Sequence, residues 1–221
     1  MANCIYCKTK FKQKYITYRY CESTDECKEA GLNYKIQKAI EQGRKNLEKE
    51  KKEKDKKAKT DLLSNDAFRA KKIQPVINEI ARIIDFGQPC IATQRYNGKM
   101  AGGHFISVGA NRASALNLHN IHKQCFESNG MSGGDPLLYR ENLIKIYGIY
   151  YCVFVQSFRR IERLGLSRQE LENIFEKAKK IRNRLKKDER ILTPKERISL
   201  RNSVNNELGI YTEIYSQFNI K

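Results

Sequence analysis

Apolar positions recur at helical spacing most clearly in residues 66–86, DAFRAKKIQPVINEIARIIDF, where Phe68, Ile73, Val76, Ile77, Ile80, Ile83 and Ile84 share one face. Pro75 starts or kinks this helix, because it lacks an N–H and its ring crowds the turn before it. Gly87 ends it. Three later helix starts carry their own punctuation. Asp135-Pro136 places an N-cap before Pro at the first helical position, with Gly148 as the stop. Ser167-Arg-Gln-Glu170 and Thr193-Pro-Lys-Glu196 both read as capping boxes. Residues 27–59 have helix-forming composition, no Pro and two Gly, Gly31 and Gly43, and pairs such as Glu48–Lys52 support them at i,i+4. After Leu47 this stretch has no apolar face to bury, so it predicts a solvated arm. Tyr15, Ile16, Thr17, Tyr18 and Tyr20 are strand formers and predict a short hairpin strand. Asn97-Gly98 is a strong turn signal and predicts a hairpin over 96–112, with His104 on or just after its second strand. The most apolar run, 146–155, is interrupted by Gly148 and falls short of the roughly 18 residues of a membrane span.

Charge changes this picture. The 221 residues carry 43 Lys and Arg against 25 Asp and Glu, a formal charge of +18, which favours a polyanionic partner and nucleic acid first. The basic groups fall in two places. One is the lysine tract, with Lys51, Lys52, Lys54, Lys56 and Lys57; the other is the later helical region, beginning with Arg159 and Arg160. Phosphate contacts there would make binding salt-dependent, although a Lys/Glu mixture also makes an ordinary solvated helix. The first residues, MANCIYCKTK, lead into no apolar stretch and do not read as a signal peptide, so a cytoplasmic protein is expected. Composition divides the chain into four parts: 1–30, cysteine-rich; 31–65, the Lys-rich arm; 66–155, a core holding all three histidines; and 156–221, helical and basic. The fold class expected is α+β.

Four of the seven cysteines lie in the first part, as Cys4-x2-Cys7 and Cys21-x5-Cys27. Two nearby pairs can complete a tetrahedron around one structural zinc, and a segment this poor in apolar residues cannot fold on burial alone. Four free thiols in a reduced protein are the alternative. Tyr15, Tyr18 and Tyr20 alternate with Lys14 and Arg19, and either stack on unpaired bases or pack against the metal knuckle.

His104, His119 and His122 fall within GGHFISVGANRASALNLHNIHKQC. A His at a strand end, an Asn in the following loop and a polar ligand on a succeeding helix are the parts of a ββα-metal (HNH) nuclease site. The His takes a proton from water, the Asn orients the imidazole or supports the loop, and a divalent metal stabilises the phosphorane and leaving oxygen. A histidine-rich loop packed for structural reasons remains open beside this reading.

The segments AGGHFISVGAN, LNLHNIHKQC and LYRENLIKIYG, with the N-terminal cysteine pairs and the Lys-rich helix, resemble the phage NinG (Rap) family of recombination proteins over most of residues 1–150. The resemblance implies an endonuclease of endonuclease VII-like core acting on branched DNA such as Holliday junctions, inside the host cytoplasm. It implies His104 as general base, Asn120 as the Asn of the HNH element, His122 as a site-wall or phosphate contact, and Asn129 as a ligand of a catalytic Mg or Mn ion. Branched or single-stranded DNA and phage or host recombination proteins are the partners implied. A homodimer is expected because a resolvase needs two active sites.

Two departures stand out. A second zinc usually braces such folds through two Cys-x2-Cys knuckles, but here these read Cys90-Ile-Ala-Thr93 and Cys125-Phe-Glu-Ser128, so packed thiols are expected there. Many such nucleases also carry an acid directly before the base, where this chain has Gly102-Gly103. A catalytic ion would then rest on Asn129 with His122, Glu127 or Asp135. The rival readings are a non-cleaving DNA-binding recombination accessory and a zinc-stabilised interaction module.

Overall fold

The Lys/Glu tract folds as one helix, α1, spanning Asp25–Asp61. The Thr24 hydroxyl caps it by accepting from the Cys27 N–H at 3.3 Å, and Asp25 and Glu26 in the first turn suit the positive end of the helix dipole. Cys27 is its one buried residue, so the cysteine-rich segment and the arm share a continuous helix. The computed structural model describes residues 1–15, 19–131 and 135–219. Met1–Leu62 and Leu63–Lys221 form separate compact units.

In the first unit, β1 (Ala2–Asn3) pairs antiparallel with β2 (Lys10–Phe11). Of the hairpin strand expected within 11–20, Phe11 belongs to β2, and Ile16, Thr17 and Tyr18 lie outside the described residues. A tight turn joins the two strands, with the Lys8 N–H donating to the Cys4 carbonyl at 2.9 Å.

The second unit begins with α2 (Asn65–Phe68), a π turn over Arg69–Ile73 and α3 (Gln74–Ile84). Pro75 sits in the first turn of α3. It has no N–H to return to the preceding turn, and the widened π turn takes up the mismatch. The predicted face is buried: Ile73, Ile77, Ile80 and Ile84 are inaccessible and meet Leu171, Ile174, Ala178 and Ile181 of α6 (Arg168–Leu185). Each such side chain contributes roughly 1.5–3 kcal/mol on burial. Gly87, at φ 71°, turns the chain out of α3.

β3 (Met100–His104) then pairs antiparallel with β4 (Ile121–Cys125), His104 facing Ile121 and Gly103 facing His122. This corrects the hairpin expected over 96–112. Asn97-Gly98 lies before β3, the strand partner comes after a long loop, and His104 ends the first strand of the pair. α4 (Pro136–Tyr147) follows, then α5 (Ile149–Ser157), α6, α7 (Pro194–Leu208) and α8 (Glu213–Ser216). Both predicted capping boxes form, with Glu170 and Glu196 accepting from the Ser167 and Thr193 N–H groups at 2.8 Å. Asp135 differs from expectation. It is left-handed, at φ 44°, and its side chain makes no capping bond; Pro136 alone sets the start of α4.

A second apolar cluster, with Ile106, Tyr139, Leu143, Tyr151, Val155 and Phe158, packs α4 and α5 against the loop after β3. A buried ion pair ties α7 to the end of α3. Arg201 Nη2 donates to both oxygens of Asp85 at 2.9 and 2.8 Å, and its Nε donates to the Leu118 carbonyl at 3.1 Å. Asp85 also accepts from the Lys123 N–H at 3.0 Å.

Candidate functional site

The second half of the loop between β3 and β4 runs inside the protein, where residues 113–120 are all buried. A buried loop must pair its own backbone groups, and four asparagines do this. Asn111 caps one 3₁₀ turn by accepting from the Ala113 N–H at 2.9 Å, and Asn117 caps the next by accepting from the His119 N–H at 2.9 Å. Asn205 of α7 accepts from the Leu118 N–H at 3.1 Å and donates to the Asn117 side chain at 3.0 Å. Asn120 accepts from the Ile106 N–H at 2.8 Å and donates to the Ile106 carbonyl at 3.0 Å. Its own carbonyl accepts from the Phe105 N–H at 2.9 Å. Asn120 therefore fixes the two residues after His104 and does not touch the imidazole; of the two roles weighed for it, loop support is the one its bonds fill.

His104 is half-buried. Its Nε2 stands 3.0 Å from the Ala115 carbonyl. A carbonyl only accepts, so Nε2 carries the proton and the lone pair lies on Nδ1. Gln74 Nε2 donates to the same carbonyl at 2.9 Å and to Asn78 Oδ1 at 2.8 Å, which holds the acceptor in place. Burial lowers the His104 pKa below its ordinary value, partly opposed by the Ala115 bond. The ring is thus neutral near pH 7, with Nδ1 able to take a proton.

His122 is fully buried. The Tyr139 hydroxyl donates to the Gly103 carbonyl at 3.1 Å, so it accepts from His122 Nδ1–H at 2.9 Å. Burial and the nearby Arg201 charge hold its pKa well below the ordinary value. Of the two roles the family implies for His122, site wall or phosphate contact, this enclosure is that of a wall residue. His119 is likewise enclosed, with Nδ1 3.0 Å from the Tyr151 hydroxyl, and burial lowers its pKa to about 3.

Gly102 and Gly103 are required by packing. A Cβ on Gly102 would stand 2.8 Å from Asn78 Cβ of α3, and one on Gly103 would stand 2.7 Å from Gln124 Cβ of β4. An acid directly before His104 has no room here. Asn129 is half-exposed in the π turn Glu127–Met131. Among the described residues, one group of three or more His, Cys, Asp or Glu side chains converges closely enough to hold a metal ion, and it is the N-terminal cysteine set. Magnesium is ordinarily held by one or two carboxylates with substrate phosphates. Asn129 offers only a neutral amide, so a catalytic ion held there would need a carboxylate beside it.

The exposed Arg159 and Arg160 lie in a 3₁₀ turn held against the loop after His104. Asn111 Nδ2 donates to the carbonyls of Phe158 at 2.8 Å and Ile161 at 3.0 Å. The basic pair and the loop following His104 thus form one continuous surface. Lys51, Lys52, Lys54, Lys56 and Lys57 are exposed along α1 in the other unit. Gln74 and Asn111 escaped sequence reasoning, because their partners lie 41 and 47 residues away.

The four N-terminal cysteines come together with all sulfurs within 4.8 Å of one another. A tetrahedral ion with metal–sulfur bonds of about 2.3 Å needs them about 3.8 Å apart, so the set fits a metal. The Ser23 side chain and backbone lower Cys21 to about 6. Burial pushes Cys4 up, but the N–H groups of Cys21 and Cys7 more than offset it and leave its pKa lowered. The turn that carries Cys4 has a particular pattern: Cys4 N–H to Thr9 O at 2.9 Å, Lys8 N–H to Cys4 O at 2.9 Å, and Lys8 at φ 62°. The same pattern recurs at Cys90, with Cys90 N–H to Arg95 O at 2.8 Å, Gln94 N–H to Cys90 O at 2.9 Å, and Gln94 at φ 57°. Thr93 takes the place of the second cysteine. Cys90 Sγ accepts from the Cys125 N–H at 3.2 Å, and Thr93 Oγ1 lies 3.7 Å from Cys125 Sγ.

The family model described as the bacteriophage lambda NinG protein matches residues 1–189, and the chain belongs to that family. No curated protein and no solved structure matches it. Membership implies a phage protein related to recombination. Among the described residues no helix is long and apolar enough to cross a membrane.

Proposed function

We propose that this NinG-family protein binds branched DNA during phage recombination and hydrolyses a phosphodiester bond with His104 as general base. The observation that carries the reading is the tie between His104 Nε2–H and the Ala115 carbonyl at 3.0 Å, which leaves Nδ1 as the base. In the reaction, Nδ1 takes a proton from water as the water oxygen bonds to phosphorus, and the bond to the sugar oxygen breaks, that oxygen taking a proton from solvent as it leaves. Asn120, Gln74 and Asn111 act as positioning residues for this step. Arg159 and Arg160 border the same loop and would hold the phosphates. The N-terminal cysteine set would bind one structural zinc, since a four-sulfur site leaves no open coordination position for chemistry.

A second reading is a recombination accessory that binds the junction without cutting it. The absence of room for an acid at Gly102-Gly103 favours it. The deciding test is incubation of the purified chain with a labelled four-way junction in Mg²⁺ or Mn²⁺, with binding measured in parallel. Cutting supports the nuclease, and salt-sensitive binding without cutting supports the accessory. Neither activity would sink both.

A further inference from the structure

On the first unit, a groove of about 410 Å³ opens beside the cysteine cluster, within the roughly 300–1,000 Å³ range of small-ligand sites. Its aromatic walls are Tyr20 and Tyr34, both half-buried, with ring centroids 5.5 Å apart and planes tilted by 47°. Tyr20 directly precedes the metal-site residue Cys21, and it lies close on α1 because Gly31 has no side chain. A Cβ there would meet Tyr20 Cβ at 3.3 Å. Tyr34 projects from α1 itself, and Lys38 Nζ stands 5.1 Å from its ring centroid. Two rings are thus fixed from separate directions, one by the cysteine set and one by the helix.

The charges on this groove are one-sided. Arg19, Lys28, Lys35 and Lys38 line it against a single carboxylate, Glu22. Lys28 pairs with Asp25 at 2.9 Å on an exposed face, an interaction that a phosphate can replace at little cost. Tilted aromatic walls interleaved with cations match a chain that alternates flat π-faces with phosphates, as single-stranded DNA does. A purely apolar segment would match the rings but not the cations.

We infer that this groove receives an unpaired base of a DNA branch or flap, stacked on Tyr34 and Tyr20, with the neighbouring phosphates on the lysines. The inference rests on the reading of the protein as one that binds branched DNA, and adds where the unpaired strand is held. It separates the tasks of the two units, base capture in one and phosphodiester chemistry in the other.

The test uses the full-length, metal-loaded protein and oligonucleotides with 2-aminopurine in a single-stranded flap, whose emission falls on stacking. Wild type should quench it. Tyr34→Leu should bind the flap roughly 5- to 150-fold more weakly, the scale of one lost base–aromatic stack. Tyr34→Phe should retain both quenching and affinity. Affinity for fully paired duplex should be the same in all three, with metal content and helical circular dichroism as folding controls. No quenching by wild type, or equal flap affinity in Tyr34→Leu and wild type, overturns the inference. Failure of wild type to cut a junction would instead remove the nuclease reading and leave the quenching result standing.

Discussion

Removing Arg201 should unfold the second unit at markedly lower temperature. Its side chain is inaccessible and Asp85 is 4% exposed, so the pair is wholly out of water. In Arg201→Met, Asp85 would keep the Lys123 N–H at 3.0 Å and Arg197 at 3.6 Å, but lose both bonds from Nη2. The Leu118 carbonyl would also lose its side-chain donor. Breaking a buried pair by deleting one partner costs about 3–5 kcal/mol. For a unit of this size each kcal/mol shifts Tm by about 2–4 °C, so a fall of roughly 6–20 °C is expected. The probe should be near-ultraviolet circular dichroism of tyrosine. The chain has no Trp, and Tyr139, Tyr147 and Tyr151 are packed together in this unit, whereas the helical signal would include α1. The double variant Asp85→Asn/Arg201→Met should cost less than the sum of its parts, because both single changes remove the same pair interaction. A loss under about 1 kcal/mol in Arg201→Met would refute the assignment of this pair as the tie that holds the loop at Leu118.

The second unit should also weaken in mild acid. His119 and His122 are held below their ordinary value of 6.5 by burial, so protons favour the unfolded chain. Stability should be level above about pH 6.5 and fall below it by up to about 1.4 kcal/mol per unit for each histidine; a urea midpoint unchanged between pH 7.5 and 5 would contradict this. Thr93→Cys/Ser128→Cys should raise bound zinc from one to two per chain, since the turn at Cys90 already has the geometry of the turn at Cys4; elemental analysis finding two zincs in wild type would contradict the reading of that turn as metal-free. Replacing Lys51, Lys52, Lys54, Lys56 and Lys57 with Gln should flatten the salt dependence of junction binding, and an unchanged slope would make the tract mere solvated surface.

What was legible in the sequence was local. The face of α3, the capping boxes at Ser167 and Thr193 and the long helix each depend on residues a few positions apart, and the four cysteines announce themselves by residue type within the first 27 residues. The β3–β4 pair was misplaced because Asn97-Gly98 is a local turn signal. The partner strand, 121–125, lies beyond a loop whose folding depends on Asn205 and Arg201, more than 80 residues away. His122 carried family meaning but not its burial, because Tyr139 and Arg201 enclose it from distant helices. Gly102-Gly103 read as a missing acid; the reason, close packing of Asn78 and Gln124, exists only in three dimensions.

The central claim is that His104 is the general base, and single-turnover cleavage of a labelled four-way junction by His104→Ala tests it most directly. A base acts on water in the transition state and adds little to ground-state binding, which distributed cations supply. The account predicts cleavage slowed by roughly 10²- to 10⁴-fold with junction affinity nearly unchanged. Cleavage by His104→Ala at the wild-type rate would contradict it.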